Sequence, residues 1–305
     1  MTDTMRGIVL MTASMAGFAL EDMFVKLATE TMPPGQILVI LGLVGGLIFS
    51  AIVKAQGRAV FSRALLAGPV MTRNISEMVG AVAYTTALAM VPLSTVSAIL
   101  QAMPLAVTFG AAVFLGEMVG WRRWTAIAVG FLGVMIVLRP GLDGFQPAAL
   151  WAVLTVVFLA ARDLATRRVD EGTSSMQLAA WGFLSVGLIG LAMMAVTGGW
   201  VMPQARNMSY MAGALTFGLA AYWAVIAAMR VGEISAITPF RYSRLIFALI
   251  LGVIVFGERP DLLTIGGSAL IIGSGLYAFV RERIRARAAA RAMAAETLAK
   301  PPAAG

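Results

Sequence analysis

Along the chain, long apolar stretches alternate with short polar breaks. The stretches predict ten membrane-spanning helices, near 5–28, 34–53, 66–89, 94–115, 123–139, 147–168, 176–197, 209–229, 233–256 and 262–280. The breaks hold the punctuation expected between helices: Pro33-Pro34-Gly35, Val91-Pro92-Leu93-Ser94, Arg139-Pro140-Gly141, Gly198-Gly199 and Arg259-Pro260-Asp261. Each stretch is apolar around most of its circumference, as a helix must be when lipid is its solvent. The run after Arg6 has the basic start of a cleaved leader. It ends instead in Glu21-Asp22, with no small-residue cleavage site, so span one is expected to be retained.

Composition fits this pattern. Of 305 residues, 60% are hydrophobic and 12% charged, whereas soluble chains carry about 45–50% and about 25%. Mean hydropathy is +0.88. Ten spans of about 20 residues would take up about two thirds of such a chain. A soluble enzyme, a disordered chain and a nucleic-acid binder are excluded. The sequence has no cysteine and no histidine, which removes disulfides, thiolate metal sites, His-dependent triads and the commonest metal ligand. No cofactor or metal is expected.

The net charge of +8 reports orientation. Arg6, Lys54, Arg58, Arg63, Arg122, Arg123, Arg167, Arg168, Arg230, Arg281, Arg283, Arg285, Arg287, Arg291 and Lys300 fall on one side, against Lys26, Arg139, Arg206 and Arg259 on the other. Both termini are expected in the cytoplasm, in a multi-pass protein of the cell inner membrane. The basic tail, 281–305, is expected to lie on anionic lipid.

The chain matches itself at an offset of 141. Asp22 falls on Asp163, Lys26 on Arg167, Gln36 on Gln177, Ser94 on Ser235, and Gly116-Glu117 on Gly257-Glu258. Only 15 residues are acidic, so coincident acids carry weight. Each copy, 5–139 and 147–280, holds five spans. An odd number forces the second copy to enter the membrane upside down. The expected fold is all-α, with ten transmembrane helices as two inverted five-helix repeats. Many secondary transporters share that plan, with their site near the midplane between repeats. Asp22 and Asp163 should then lie towards opposite faces.

Ten spans, the five-plus-five repeat and a Gly-Glu closing helices four and nine resemble the drug/metabolite transporter superfamily, EamA type. "FALEDMFVK" in helix one and "ITPFRYSRLIFALILGVIVFGERPD" in helix nine add to the likeness, which covers about residues 7 to 282. The resemblance implies lipid-facing fifth and tenth helices and a central pathway lined by helices 1, 3, 4, 6, 8 and 9. It also implies substrates such as amino acids, riboflavin, nucleotide-sugar relatives, polyamines and drugs.

An ionisable side chain within a span costs at least about 2.5–3.5 kcal/mol on insertion scales, so each is a functional candidate. Glu77 sits at the centre of span three, one turn from Arg73, and Arg244 near the centre of span nine, one turn from Arg241. Two readings stay open. Either these groups form a neutralising network, or Arg241 or Arg244 binds a carboxylate or phosphate while Glu77 handles an amine or a proton. The arginines outnumber Glu77, which favours an anionic or zwitterionic cargo. Asp22 with Lys26 and Asp163 with Arg167 are spaced i,i+4 and can pair, either as interfacial bridges or as gates on opposite faces. Glu117 and Glu258 read as contacts to neighbouring helix ends.

Pro104 and Pro239 interrupt helices four and nine. Gln101 and Tyr242 occupy equivalent positions beside these breaks, where a polar pair can face the pathway. Tyr84 and Trp223, with Phe18, Tyr222 and Phe240, are aromatic candidates for substrate contact. Gly130-x-x-Gly133 and Gly266-Gly267 suit close packing within a protomer, or between the protomers of a homodimer.

The expectation is an inner-membrane secondary transporter that uses alternating access, with membrane lipid and a small-molecule substrate as partners and no nucleic acid. Its cargo is expected to be an amino acid or related zwitterion, with riboflavin or a similar vitamin as the alternative. A passive channel and a membrane-embedded enzyme are the readings of a different class.

Overall fold

The computed structural model describes residues 3–142, 144–231 and 234–299. No strand occurs among them, because a backbone in lipid has to satisfy its own hydrogen bonds. Twelve α-helices follow one another: α1 (Asp3–Thr29), α2 (Pro34–Ala55), α3 (Gly68–Met90), α4 (Leu93–Leu100), α5 (Met103–Phe114), α6 (Trp121–Leu138), α7 (Leu150–Thr166), α8 (Ser175–Thr197), α9 (Ala205–Val231), α10 (Ile234–Ile237), α11 (Ser243–Phe256) and α12 (Leu262–Ala299). Among the described residues, nine helical stretches are long and apolar enough to cross a bilayer. The remaining span, α3, is diluted by Arg73, Asn74, Ser76 and Glu77.

Local sequence sets the ends. Pro34 starts α2 at a position whose N–H needs no partner. Ser174 and Gln177 close a reciprocal capping box on α8. The two interrupted spans break beside their prolines. Span four divides into α4 and α5 around Gln101 and Ala102, with Pro104 in the first turn of α5. Span nine passes from α10 through a 3-10 turn, Thr238–Tyr242, into α11.

Packing shows the inverted repeat directly. Helix α1 lies along α9, and its counterpart α7 lies along α3. These are spans one and eight, and six and three, so one operation exchanges the two interfaces. The remaining pairs, α2 with α8, α6 with α12 and α4 with α11, are each made of two equivalent helices. Backbones touch at the first of these. A Cβ on Gly42 would lie 2.2 Å from the Gly187 nitrogen, so only glycine fits there. Likewise Gly133 and Gly267 meet where α6 crosses α12, within the protomer.

The bundle has two ends. One, here called distal, carries the connections 30–33, 91–92, 139–149, 198–204 and 257–261; the other, proximal, carries the N-terminus and 56–67, 115–120 and 167–174. The largest buried core gathers towards the distal end, around Met32, Ile37, Leu88, Val91, Leu93 and Leu138. Large apolar side chains such as Leu132, Ile254 and Leu262 are exposed on the outside, as lipid-facing positions would be. The expected counterpart of Ser94, Ser235, and the tail cations Arg285, Arg287, Arg291 and Lys300 fall outside the described side chains.

Candidate functional site

Among the described residues, two clusters of charge lie within the spans. In the first, α1 supplies Asp22, α3 supplies Tyr84 and α11 supplies Arg244. The Arg244 guanidinium donates from Nε to Asp22 Oδ2 at 3.1 Å, and from Nη2 to Oδ1 and Oδ2 at 2.8 and 2.7 Å. The Tyr84 hydroxyl donates to Asp22 and accepts from Arg244 Nη2 at 3.1 Å. Phe18, one turn before Asp22, lies under the guanidinium at 5.3 Å, within cation–π range. Arg244 can reach Asp22 because the break at Thr238–Tyr242 starts α11 deep within the span. The cluster therefore ties two helices of the first repeat to one of the second.

The second cluster lies nearer the proximal end. Glu77 on α3 accepts from Arg162 of α7 at 3.1 and 3.3 Å and faces Arg73, one turn back on its own helix, at 3.5 Å. Arg162 also reaches Asp163 at 2.8 Å. Glu77 is thus held between two guanidinium groups.

These pairings correct several expectations drawn from spacing. Asp22 pairs with Arg244, not with Lys26 four residues on. Lys26 instead donates to the carbonyls of Leu88 and Val91, at 2.9 and 2.7 Å, at the end of α3. Asp163 pairs with Arg162, and Arg167 with Glu117 at 2.9 Å. Long flexible cations reached stronger partners on other helices. Glu77 and Arg244 belong to different clusters, and Arg241 lies exposed, in neither. The expected surplus of positive charge is absent from the clusters. Arg73, Arg162 and Arg244 each have a carboxylate within 3.5 Å.

The aromatic and polar candidates also separate. Tyr84 and Phe18 are in the first cluster. Trp223 is 68% exposed on the outside of α9, while its neighbour Tyr222 faces inward beside Phe49. One residue along a helix turns the side chain by about 100°. Gln101 donates to the Tyr242 backbone carbonyl at 3.4 Å, so the paired positions do meet. The Tyr242 ring does not face a pathway with it: its hydroxyl lies 2.0 Å from where a Cβ on Gly275 of α12 would stand.

Glu21 was missed by the sequence reading. The signal was available, since the offset of 141 sets Glu21 opposite Arg162, an acid against a base deep in two equivalent helices.

The ends of the bundle carry a third arrangement. Gly116 and Gly257 both turn the chain at positive φ, +69° and +62°, the left-handed conformation that glycine adopts without penalty. The N–H of the following glutamate then closes back on Ala111 and on Gly252 respectively, as in a Schellman cap. At the distal end Glu258 reaches over the other repeat and accepts the backbone N–H groups of Leu93 and Ser94, the latter at 2.9 Å, in the first turn of α4. At the proximal end Glu117 is exposed and bound to Arg167. Equivalent side chains differ in the same sense. Asp22 is 2% exposed and Asp163 38%; Leu88 is 0% exposed and Met229 47%. A cavity of about 280 Å³ adjoins the distal closure, lined in part by Ser94, Arg139, Glu258 and Asp261.

Comparison with known proteins places this geometry. Residues 5–139 and 146–280 each match the model of the EamA-like transporter family. A riboflavin transporter of Rhizobium johnstonii is 31% identical over 71% of this chain and 72% of its own. An S-adenosylmethionine uptake transporter of Rickettsia bellii is 25% identical over 69% and 72%, and the pseudopaline exporter CntI of Pseudomonas aeruginosa 23% over 87% and 93%. A solved crystal structure covers 87% of this chain and 97% of its own, with a TM-score of 0.59 and 19% identity, which speaks to the fold alone. With the family model matched twice over nearly the whole helical region, the chain belongs to the EamA-like transporter family.

Proposed function

We propose that the chain is a secondary transporter of the inner membrane that moves a small organic metabolite, an amino acid or related zwitterion, by alternating access between its inverted halves. The observation that carries this reading is the unequal state of equivalent groups at the two ends. Glu258 closes the distal end onto Leu93 and Ser94, whereas Glu117 stands exposed at the proximal end. One fold built from two equivalent halves, with Glu258 latched across the repeats at one end and Glu117 not latched at the other, supports two states of similar energy that exchange those roles. Lys26 and Arg167, with Asp22 and Asp163, serve as gating groups, each through the partners described above.

The excess of basic residues at the proximal end supports a cytoplasmic placement for it, and on that reading this state faces inward. The Asp22–Tyr84–Arg244 cluster joins both repeats and is the natural place for a charged cargo to bias the equilibrium. Glu77, Arg241, Gln101 and Tyr242 remain candidate contacts in other states of the cycle. The related proteins are named for cargo as different as riboflavin and S-adenosylmethionine, and for both uptake and export. The family therefore fixes neither cargo nor direction.

Counterflow in proteoliposomes tests the reading. Labelled amino acids, S-adenosylmethionine and riboflavin are offered to liposomes preloaded with the same compounds. Saturable exchange of one zwitterionic class, lost in Arg244→Ala, is expected. Saturable exchange of riboflavin alone would favour the vitamin reading. Unsaturable flux with single-channel conductance would contradict a transporter.

A further inference from the structure

Beside the first charge cluster stands a carboxyl with no ion pair among the described contacts. Glu21 neighbours Asp22 on α1 but faces another direction. Its carboxyl carbon lies 2.7 Å from where a Cβ on Gly218 of α9 would stand. No hydrogen bond or ion pair of Glu21 occurs among those described, and the Arg244 guanidinium is engaged by Asp22 through Nε and Nη2. Glu21 lines a cavity of about 60 Å³ between α1, α2, α8 and α9, together with Phe18, Phe49, Phe183, Leu219 and Tyr222. The rings pack on one another, with Phe49 centred 5.3 Å from both Phe183 and Tyr222.

We propose that this cavity is an organic-ammonium site, in which Glu21 takes the primary amine end of the cargo against the ring faces. The inference rests on the transport reading and narrows its substrate class. A carboxylate in an apolar, water-poor cavity attracts a cation far more strongly than it would in water. Aromatic faces add cation–π attraction for a desolvated cation. Size decides which cation. The cavity holds about two waters' worth of volume at roughly 30 Å³ each, enough for an aminomethyl group and too little for a fused flavin ring. The other charged or titratable groups near it are Asp22 on α1, Tyr84 on α3, Arg244 on α11 and Tyr222 on α9. Arg244 Nη1 takes no part in the described bonds to Asp22 and Tyr84, which leaves it for the carboxylate of a zwitterion. Gly218 leaves the room that the Glu21 carboxyl occupies, and a side chain there would push that carboxyl aside.

Thermal unfolding of the purified full chain in detergent, titrated with methylammonium chloride against sodium chloride at equal ionic strength, tests the site. A saturable rise in midpoint is expected with methylammonium only, and it should vanish in Glu21→Gln. A second readout needs no variant. Methylammonium should slow carbodiimide modification of Glu21 at least tenfold, read by peptide mass spectrometry, and leave exposed Glu117 unaffected. Equal midpoint shifts in both salts, the same shift in Glu21→Gln, or unprotected Glu21 would overturn the proposal. Counterflow separates the two ideas. Protection of Glu21 without exchange of any cargo would overturn the transport reading and leave the ammonium site standing. Exchange without protection would do the reverse.

Discussion

The Glu258 carboxylate of the second repeat accepts the backbone N–H of Ser94, at the start of a helix in the first repeat, at 2.9 Å. The positive end of α4 and its unpaired N–H groups make this a favourable place for an anion. Room for it comes from Gly252, where a Cβ would lie 2.6 Å from Glu258 Oε2. The equivalent residue of the first repeat is Ala111, which already has that Cβ. Under the proposed alternating-access cycle, the two closures are therefore unequal, with the distal one favoured.

Gly252→Ala is expected to dislodge Glu258 and loosen the distal closure, and Glu258→Gln to do so by removing the charge. Hydrogen bonds to charged groups are each worth about 1.5–3 kcal/mol, so either change should shift a balanced equilibrium at least tenfold. Spin labels across the distal end should report a longer mean distance in both variants. Ala111→Gly should favour proximal closure. Unchanged distances in all three would remove the latch.

Breaking the Asp22–Arg244 pair leaves a buried charge uncompensated, at a cost of about 3–5 kcal/mol. Asp22→Asn and Arg244→Ala should therefore lower the thermal midpoint clearly and abolish counterflow. Tyr84→Phe should cost less, because Asp22 keeps its guanidinium. Thermal unfolding monitored by tryptophan fluorescence gives the ranking, and equal losses in all three variants would contradict it.

Outside the spans, Asp261 is held at about 2, below its ordinary 3.8, first by the Arg139 guanidinium and then by the backbone N–H of Thr264 in the opening turn of α12. A lowered carboxyl contributes stability above about pH 4 and loses it as pH falls towards 2. Asp261→Asn should thus lower the midpoint equally at pH 6 and pH 8, with the difference narrowing only between pH 4 and pH 2. Because Asp261 is largely exposed, the effect should be small. A variant-specific change between pH 6 and pH 8 would contradict the assignment.

The spans, their two proline breaks and the inverted repeat were legible because they depend on local rules: apolar runs long enough for a bilayer, missing N–H groups, and rare charges matched at one offset. The Gly-Glu ends were legible for the same reason. Partner choice was not. Asp22 and Lys26 have ideal spacing on one helix, yet each found its partner on another element, since buried charge goes to the most complete hydrogen bonding within reach. Tyr222 and Trp223 differ by one position, and the apolar pattern of α9 is too uniform to say which faces inward. Glu21 was hidden by standing beside a second acid, so that the pair read as one polar punctuation mark.

The central claim is reciprocal access, and the absence of cysteine makes it directly measurable. Single cysteines at Leu88 and at its equivalent, Met229, can be tested with a membrane-impermeant maleimide in inside-out and right-side-out vesicles. Met229→Cys should react from the cytoplasmic side while Leu88→Cys is protected. Adding Glu258→Gln should raise the reactivity of Leu88→Cys from the outside and lower that of Met229→Cys. Both sites rising together, or neither changing, would contradict alternating access between these halves.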